Sequence, residues 1–259
     1  MPLIDARSEG YVATICLDHF AKRNALSETL VDEFVAALDE FATQRARVVI
    51  VRARPGVKVW SAGHDVEELP VGRRDPLGWD DPLRKLIRAV ENFHAPVIAM
   101  IEGGVWGGAC EAVMACDLVI AAPNATFAVT PAKLGVPYNV SGMLTFLNRA
   151  PLCVVKEMAF TAKPVDAERA LRTGLINHLV PLEELEEVAY GIARDIAANA
   201  PLSIAVMKEQ LRILAGAHPM SPQGFERVQG LRRVVYDSHD YAEGITAFKE
   251  KRAPVYRGE

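Results

Sequence analysis

The sequence predicts an α/β fold that turns helical towards its end, and three observations carry that prediction. Short apolar, β-branched runs alternate with stretches of helical periodicity through the first two thirds of the chain. Two of those runs, Val97-Ile98-Ala99-Met100-Ile101 and Leu118-Val119-Ile120-Ala121-Ala122, hold no polar residue, as expected of strands covered on both faces. From Asp166 onward the pattern is mostly helical. We therefore expect an α/β core over residues 1–190 and a helical C-terminal segment over 191–259, too thin for a large core of its own.

Each element has a local reason. Tyr11–Leu17 reads as a strand. Ser27 fits the N-cap of a helix whose Leu30, Phe34, Leu38 and Phe41 fall on one face. Val48–Arg52 is the next strand, and residues 70–82, rich in Pro, Gly and Asp, read as a loop. Asp81-Pro82 supplies a cap and a first-turn proline for a helix over Leu83–Phe93. A helix over Gly108–Cys116 separates the two fully apolar strands. Asp166 caps a short helix ended by Gly174, Ile176–Val180 is a last strand, and three or four amphipathic helices run to Arg252.

Bulk properties exclude several classes. The chain has 259 residues, half of them hydrophobic, and a net charge of −4, which argues against nucleic acid as its main partner. Cys16, Cys110, Cys116 and Cys153 form no CxxC pair, so neither a zinc site nor a disulfide framework is expected and a reducing cytoplasm fits. Cys110 reads as a small core residue. Met1–Gly10 lacks the apolar run of a secretory signal, and nothing approaches the roughly 18–20 apolar residues that span a bilayer. No metal-ligand spacing, serine-hydrolase elbow or dinucleotide fingerprint is present.

Two glycine-bearing segments point to chemistry: Ser61-Ala62-Gly63-His64-Asp65 and Trp106-Gly107-Gly108-Ala109-Cys110-Glu111. Each follows a strand and bares backbone at a turn, where main-chain N–H groups lack intrahelical partners. Two such donors converging on one carbonyl oxygen make an oxyanion hole. With Asn24-Ala25-Leu26 and Ala247–Arg252, these segments resemble the crotonase (enoyl-CoA hydratase/isomerase) superfamily over nearly the whole chain. Residues 63–70, with His64 in place of a small residue, and Leu134–Asn139 are most similar to its methylmalonyl-CoA decarboxylase branch.

That resemblance implies a spiral of ββα turns whose C-terminal helices form a trimer or a dimer of trimers. It also implies an acyl-CoA thioester substrate, with no cofactor beyond it, and donors at the His64 and Gly108 N–H groups. Tyr138 is implied to hold the substrate carboxylate, with Thr130 nearby. Backbone of Ala62, Gly63, Asp65 and Val66 is implied to meet the adenine, Lys22 or Arg23 is a candidate for the phosphates, and Lys251 is a candidate to contact CoA, in its own subunit or from a neighbouring one. The expected reaction is decarboxylation of methylmalonyl-CoA to propionyl-CoA. The His64 ring has two open readings, structural or facing the carboxylate.

Glu111 matches one of the two acid/base glutamates of hydratases, and the second would fall near Thr130-Pro131-Ala132, where no acid stands. Glu111 is thus either an acid/base group or a buried residue paired with an arginine or a backbone amide. The alternatives are a hydratase or isomerase using Glu111, and a non-catalytic CoA-ester-binding subunit.

Overall fold

The computed structural model describes residues 2–70 and 74–259. Residues 71–73 of the expected 70–82 loop lie outside the described residues, as does Met1. The chain opens with an antiparallel hairpin, β1 (Ile4–Glu9) and β2 (Val12–Leu17), turned at Gly10 with φ 60. Helix α1 (Glu28–Thr43) follows, capped by Ser27, whose Oγ accepts from the Leu30 N–H at 3.3 Å.

Successive ββα turns then wind the core. The first contributes β3 (Val48–Ala53), β4 (Val59–Ser61) and α2 (Pro82–Asn92), and the second β5 (Val97–Ile101), β6 (Gly104–Trp106) and α3 (Gly108–Ala115). Strands β7 (Leu118–Ala121) and β8 (Thr126–Ala128) begin the third, which continues into α4 (Val140–Leu147) and α5 (Leu152–Thr161). Then come β9 (Val165–Asp166), α6 (Ala167–Arg172), β10 (His178–Leu179) and α7 (Leu185–Ala198). The chain ends on α8 (Pro201–Ala215), α9 (Pro222–Tyr236) and α10 (His239–Lys249).

Each turn places one strand in each of two sheets. Among the described residues the larger runs β1-β2-β3-β5-β7-β10, parallel beyond the hairpin, and the smaller runs β4-β6-β8-β9. Alternation along the strands divides the larger sheet between two cores. Val49, Val51, Val97, Ala99, Val119 and Ala121 join the main core. Val48, Ile50, Ile98, Met100 and Ile120 face α7 instead, whose Leu185, Ala189, Ala193 and Ala197 form a stripe at four-residue spacing. Both faces are covered, which is why β5 and β7 carry no polar residue. The expected division at residue 190 falls inside α7, a helix that packs on the sheet of the core.

The C-terminal helices divide their roles. Arg232 of α9 is nearly buried and grips the Asp75 carboxylate with both terminal nitrogens, at 2.7 and 2.5 Å. Tyr241 of α10 donates to the Pro70 carbonyl at 2.8 Å. Together they draw α9 and α10 back onto their own core. Helix α8, by contrast, buries no residue. No described helix is long and apolar enough to cross a membrane.

Candidate active site

Sequence-distant glycines bring the two singled-out turns into contact. Gly63 has φ +89, and a Cβ there would run into the Trp106 carbonyl and lie 2.8 Å from the Gly108 nitrogen. Only glycine fits that backbone. The Gly63 turn is pinned from a third side: the Leu26 N–H donates to the Gly63 carbonyl at 2.7 Å and the Ala62 N–H to the Arg23 carbonyl at 2.9 Å. Asn24 adds an Nδ2 bond to the Trp60 carbonyl at 2.8 Å. On the other turn, the Gly107 N–H donates to the Ala128 carbonyl at 2.8 Å, which leaves the Gly108 N–H at the open start of α3.

The consequence is a pair of free donors. A Cβ on Gly108 would lie 3.3 Å from the His64 nitrogen, so the two amides are close neighbours. Neither has an acceptor among the described residues. They open on a cavity of about 600 Å³ lined by Leu83, Thr130, Tyr138 and Phe248 besides His64 and Gly108. This arrangement can hold a carbonyl oxygen as it gains negative charge, each donor contributing roughly 3–4 kcal/mol.

Tyr138 reaches the cavity from the turn before α4. Asn139 fixes that turn, its Oδ1 accepting from the Gly142 N–H at 2.8 Å and its Nδ2 donating to the Leu77 carbonyl at 3.2 Å. The Tyr138 ring packs edge-on against Phe146, centroids 5.8 Å apart. Its hydroxyl is buried without a hydrogen-bonding partner, as is Glu111 Oε2. Burial, with the nearby Glu111 charge, drives the phenol well above its ordinary range, so it stands as a neutral donor.

Glu111 is paired with an arginine. It is fully buried and lines no part of the cavity, and its Oε1 accepts from Arg84 Nη1 at 2.5 Å. Burial pushes its carboxyl up to about 7, against the pull of the Arg84 guanidinium and the Tyr138 hydroxyl. The tyrosine acts from close by, yet the two fall short of hydrogen-bond geometry. Thr130-Pro131-Ala132 brings no acid, as expected. The cavity's own carboxylates, Asp65 and Glu67, are tied to Lys22 at 2.9 and 2.7 Å.

The expected CoA contacts separate. Ala62, Asp65, Val66 and Arg23 line the cavity, and Gly63 lies buried behind it. Lys22 also lines it, but its ammonium is held by two carboxylates, which weakens it as a phosphate ligand. Lys251 is exposed after the end of α10 and does not line the cavity of its own chain. The base there is its neighbour Arg252, which pairs with Glu243 and Glu250. Cys110 is fully buried, with its thiol pushed up to about 12 by burial, which confirms it as a core residue. Asp81, read from the sequence only as a helix cap, meets the His64 ring at 2.7 Å. Nothing in the local pattern announces that contact, nor the Arg84–Glu111 pair.

The chain is similar to several known proteins. The chain is 50% identical over 247 residues to methylmalonyl-CoA decarboxylase of Escherichia coli (strain K12), covering 95% of each. It is 32% identical over 253 residues to carnitinyl-CoA dehydratase of Salmonella typhi, covering 96% of each. Among solved structures it resembles methylmalonyl-CoA decarboxylase in complex with 2-nitronate-propionyl-CoA, with a TM-score of 0.97, 48% identity and 99% of both chains covered. The sequence profile described as Enoyl-CoA hydratase/isomerase matches residues 7–259, and the chain belongs to that family.

Proposed function

We propose that this protein is a cofactor-independent decarboxylase that converts methylmalonyl-CoA to propionyl-CoA. One observation carries the reading: two unpartnered N–H donors open on a cavity that is also lined by Tyr138, whose hydroxyl is itself unpartnered. Buried polar atoms without partners are rare in folded proteins and mark where a ligand belongs.

The chemistry follows from that layout. The thioester oxygen sits on the His64 and Gly108 N–H groups. Tyr138 donates to the substrate carboxylate and holds its C–C bond perpendicular to the thioester plane. That bond breaks, CO₂ leaves, and the bonding electrons enter the thioester as an enolate whose oxygen the two amides stabilise. A proton delivered to the α-carbon by water or a nearby acid completes propionyl-CoA. The thioester is itself the electron sink, so the reaction asks for no added cofactor. Orientation is the main task, and positioning of this kind is worth several kcal/mol.

The surroundings support the rest of the reading. Ala62, Asp65 and Val66 border the cavity, which suits packing of the CoA adenine there, and Arg23 and Lys133 are cavity cations without a carboxylate partner among the described residues. Leu202, Val206, Leu211 and Leu214 of α8 and Leu231 and Val234 of α9 are all more than half exposed. An apolar surface of that kind suits a trimer or a dimer of trimers. Four unpaired cysteines suit the cytoplasm.

The deciding experiment measures CO₂ release from methylmalonyl-CoA beside hydration of crotonyl-CoA. Release without hydration is the expected result. Hydration without release would make the protein a hydratase, and neither activity would make it a CoA-ester-binding subunit.

A further inference from the structure

The His64 ring is caught between two acceptors. Its Nδ1 stands 3.0 Å from the Asp65 carbonyl oxygen and its Nε2 2.7 Å from Asp81 Oδ2. A neutral imidazole carries one N–H and could serve only one of them. Both contacts are hydrogen bonds only if both nitrogens carry protons, which makes the ring an imidazolium. The Nδ1 bond closes back onto the carbonyl of the next residue, Asp65, so ring and backbone are locked together.

Asp81 has a second attachment. Its other oxygen, Oδ1, accepts from the Leu83 N–H at 3.0 Å and caps α2. Leu83 in turn packs over the other donor: a Cβ on Gly108 would lie 2.8 Å from Leu83 Cδ2. One carboxylate therefore joins the His64 turn to the helix that abuts Gly108. The His64 and Asp81 side chains are 10% and 9% exposed, so water competes little for either.

We propose that Asp81 is a positioning residue for decarboxylation: it holds the His64 ring as an imidazolium against the start of α2 and so fixes the His64 N–H that receives the thioester oxygen. The inference rests on the decarboxylase reading above.

The charges around the ring favour this state. Burial works against its proton, but the hydrogen bond and charge of Asp81 outweigh it, and Glu68 adds a smaller pull. Of the other groups nearby, Asp65 and Glu67 are held by Lys22, and Arg84 by Glu111. Tyr241, whose hydroxyl feels the Asp81 charge and bonds to Pro70, is pushed up to about 12 and stays neutral. Among the described residues the His64 ring is the cation that pairs with Asp81.

The test uses the intact protein labelled with ¹⁵N in its histidine rings, the His64 signals assigned by their absence from His64→Gln. At about pH 7.5, one unit above the ordinary histidine midpoint, both His64 nitrogens should be protonated in the parent and not in Asp81→Asn. Asparagine caps helices as well as aspartate does, so α2 should persist in the variant. Its kcat should fall about tenfold or more, with KM little changed. The alkaline limb of the kcat profile should move down towards the ordinary histidine range. A neutral His64 in the parent overturns the proposal, and so does Asp81→Asn with parental kcat and pH profile. If the variant does not fold, the parent's ring signals decide. A parent that releases no CO₂ overturns the decarboxylase reading and the positioning role with it, whereas an active parent with a neutral His64 overturns the positioning role alone.

Discussion

Arg84 Nη1 lies 2.5 Å from Glu111 Oε1, which ties the acid of α3 to α2 across 27 residues of sequence. Arg84 is 8% exposed and Glu111 fully buried. The carboxyl that would do proton transfer in a hydratase is thus occupied by a guanidinium, away from the cavity. In a decarboxylase no enzyme base starts the reaction, because the departing carboxylate carries its own charge. Glu111→Gln can still accept from Arg84, and CO₂ release should survive largely intact. In a hydratase or isomerase the same change removes a group worth roughly 10²–10⁴-fold. A collapse of CO₂ release in the folded variant would make Glu111 the proton donor to the enolate.

Tyr138→Phe should lower CO₂ release at least about tenfold, the lower range of what a lost orienting group costs. The ring still fills its place against Phe146, so the fold should hold. Binding of a non-reactive CoA thioester should change little, since the thioester donors lie on other segments. Turnover equal to the parent's would make the tyrosine a bystander.

Gly142 bears on the ring that carries the same hydroxyl. A Cβ there would lie 2.5 Å from Tyr138 Cδ1 and 3.0 Å from Asn139 Oδ1. Such crowding in a packed site typically costs about 1–3 kcal/mol, and it is relieved by pushing the ring aside. Gly142→Ala should therefore lose turnover much as Tyr138→Phe does. Gly142→Ala combined with Tyr138→Phe should be little worse than either alone, because both act on one phenol. Fully additive losses would place the effect of Gly142 elsewhere.

Much of this was legible in the sequence, and the reasons are local. The runs at β3, β5 and β7 are apolar because both faces are covered. The caps Ser27, Asp81 and Asp166 sit where the periodicity begins and accept from their first-turn amides. Gly63 and Gly107 announced themselves because glycine is favoured by φ +89 with no room for a Cβ at Gly63 and by φ 56 with ψ −125 at Gly107. The rest lacked a local signature. β1 is a largely exposed edge strand of mixed polarity, and β4, β6 and β8 have three residues each, too few to show a period. The Glu111 partner and the His64 partner are set by how α2 crosses the two glycine turns, and single-chain spacing does not encode such a crossing.

The buried Glu111 carboxyl should leave a mark on stability. Burial raises it from an ordinary 4.5 to about 7 in the folded protein. Between those values the folded chain holds a proton that the unfolded chain has lost. The contribution of Glu111 is thus fully present below about 4.5 and is lost as pH rises through about 7. A shift of that size corresponds to on the order of 3 kcal/mol. Glutamine cannot titrate, so the stability of the parent minus that of Glu111→Gln should fall from about pH 5 to about pH 8, read by urea unfolding at each pH. His64 is also raised, but its contribution is lost only above its unfolded midpoint near 6.5. It is common to both proteins and cancels in the difference. A difference that stays flat across this range would mean that Arg84 keeps Glu111 ionised throughout and that the guanidinium, not burial, sets its charge.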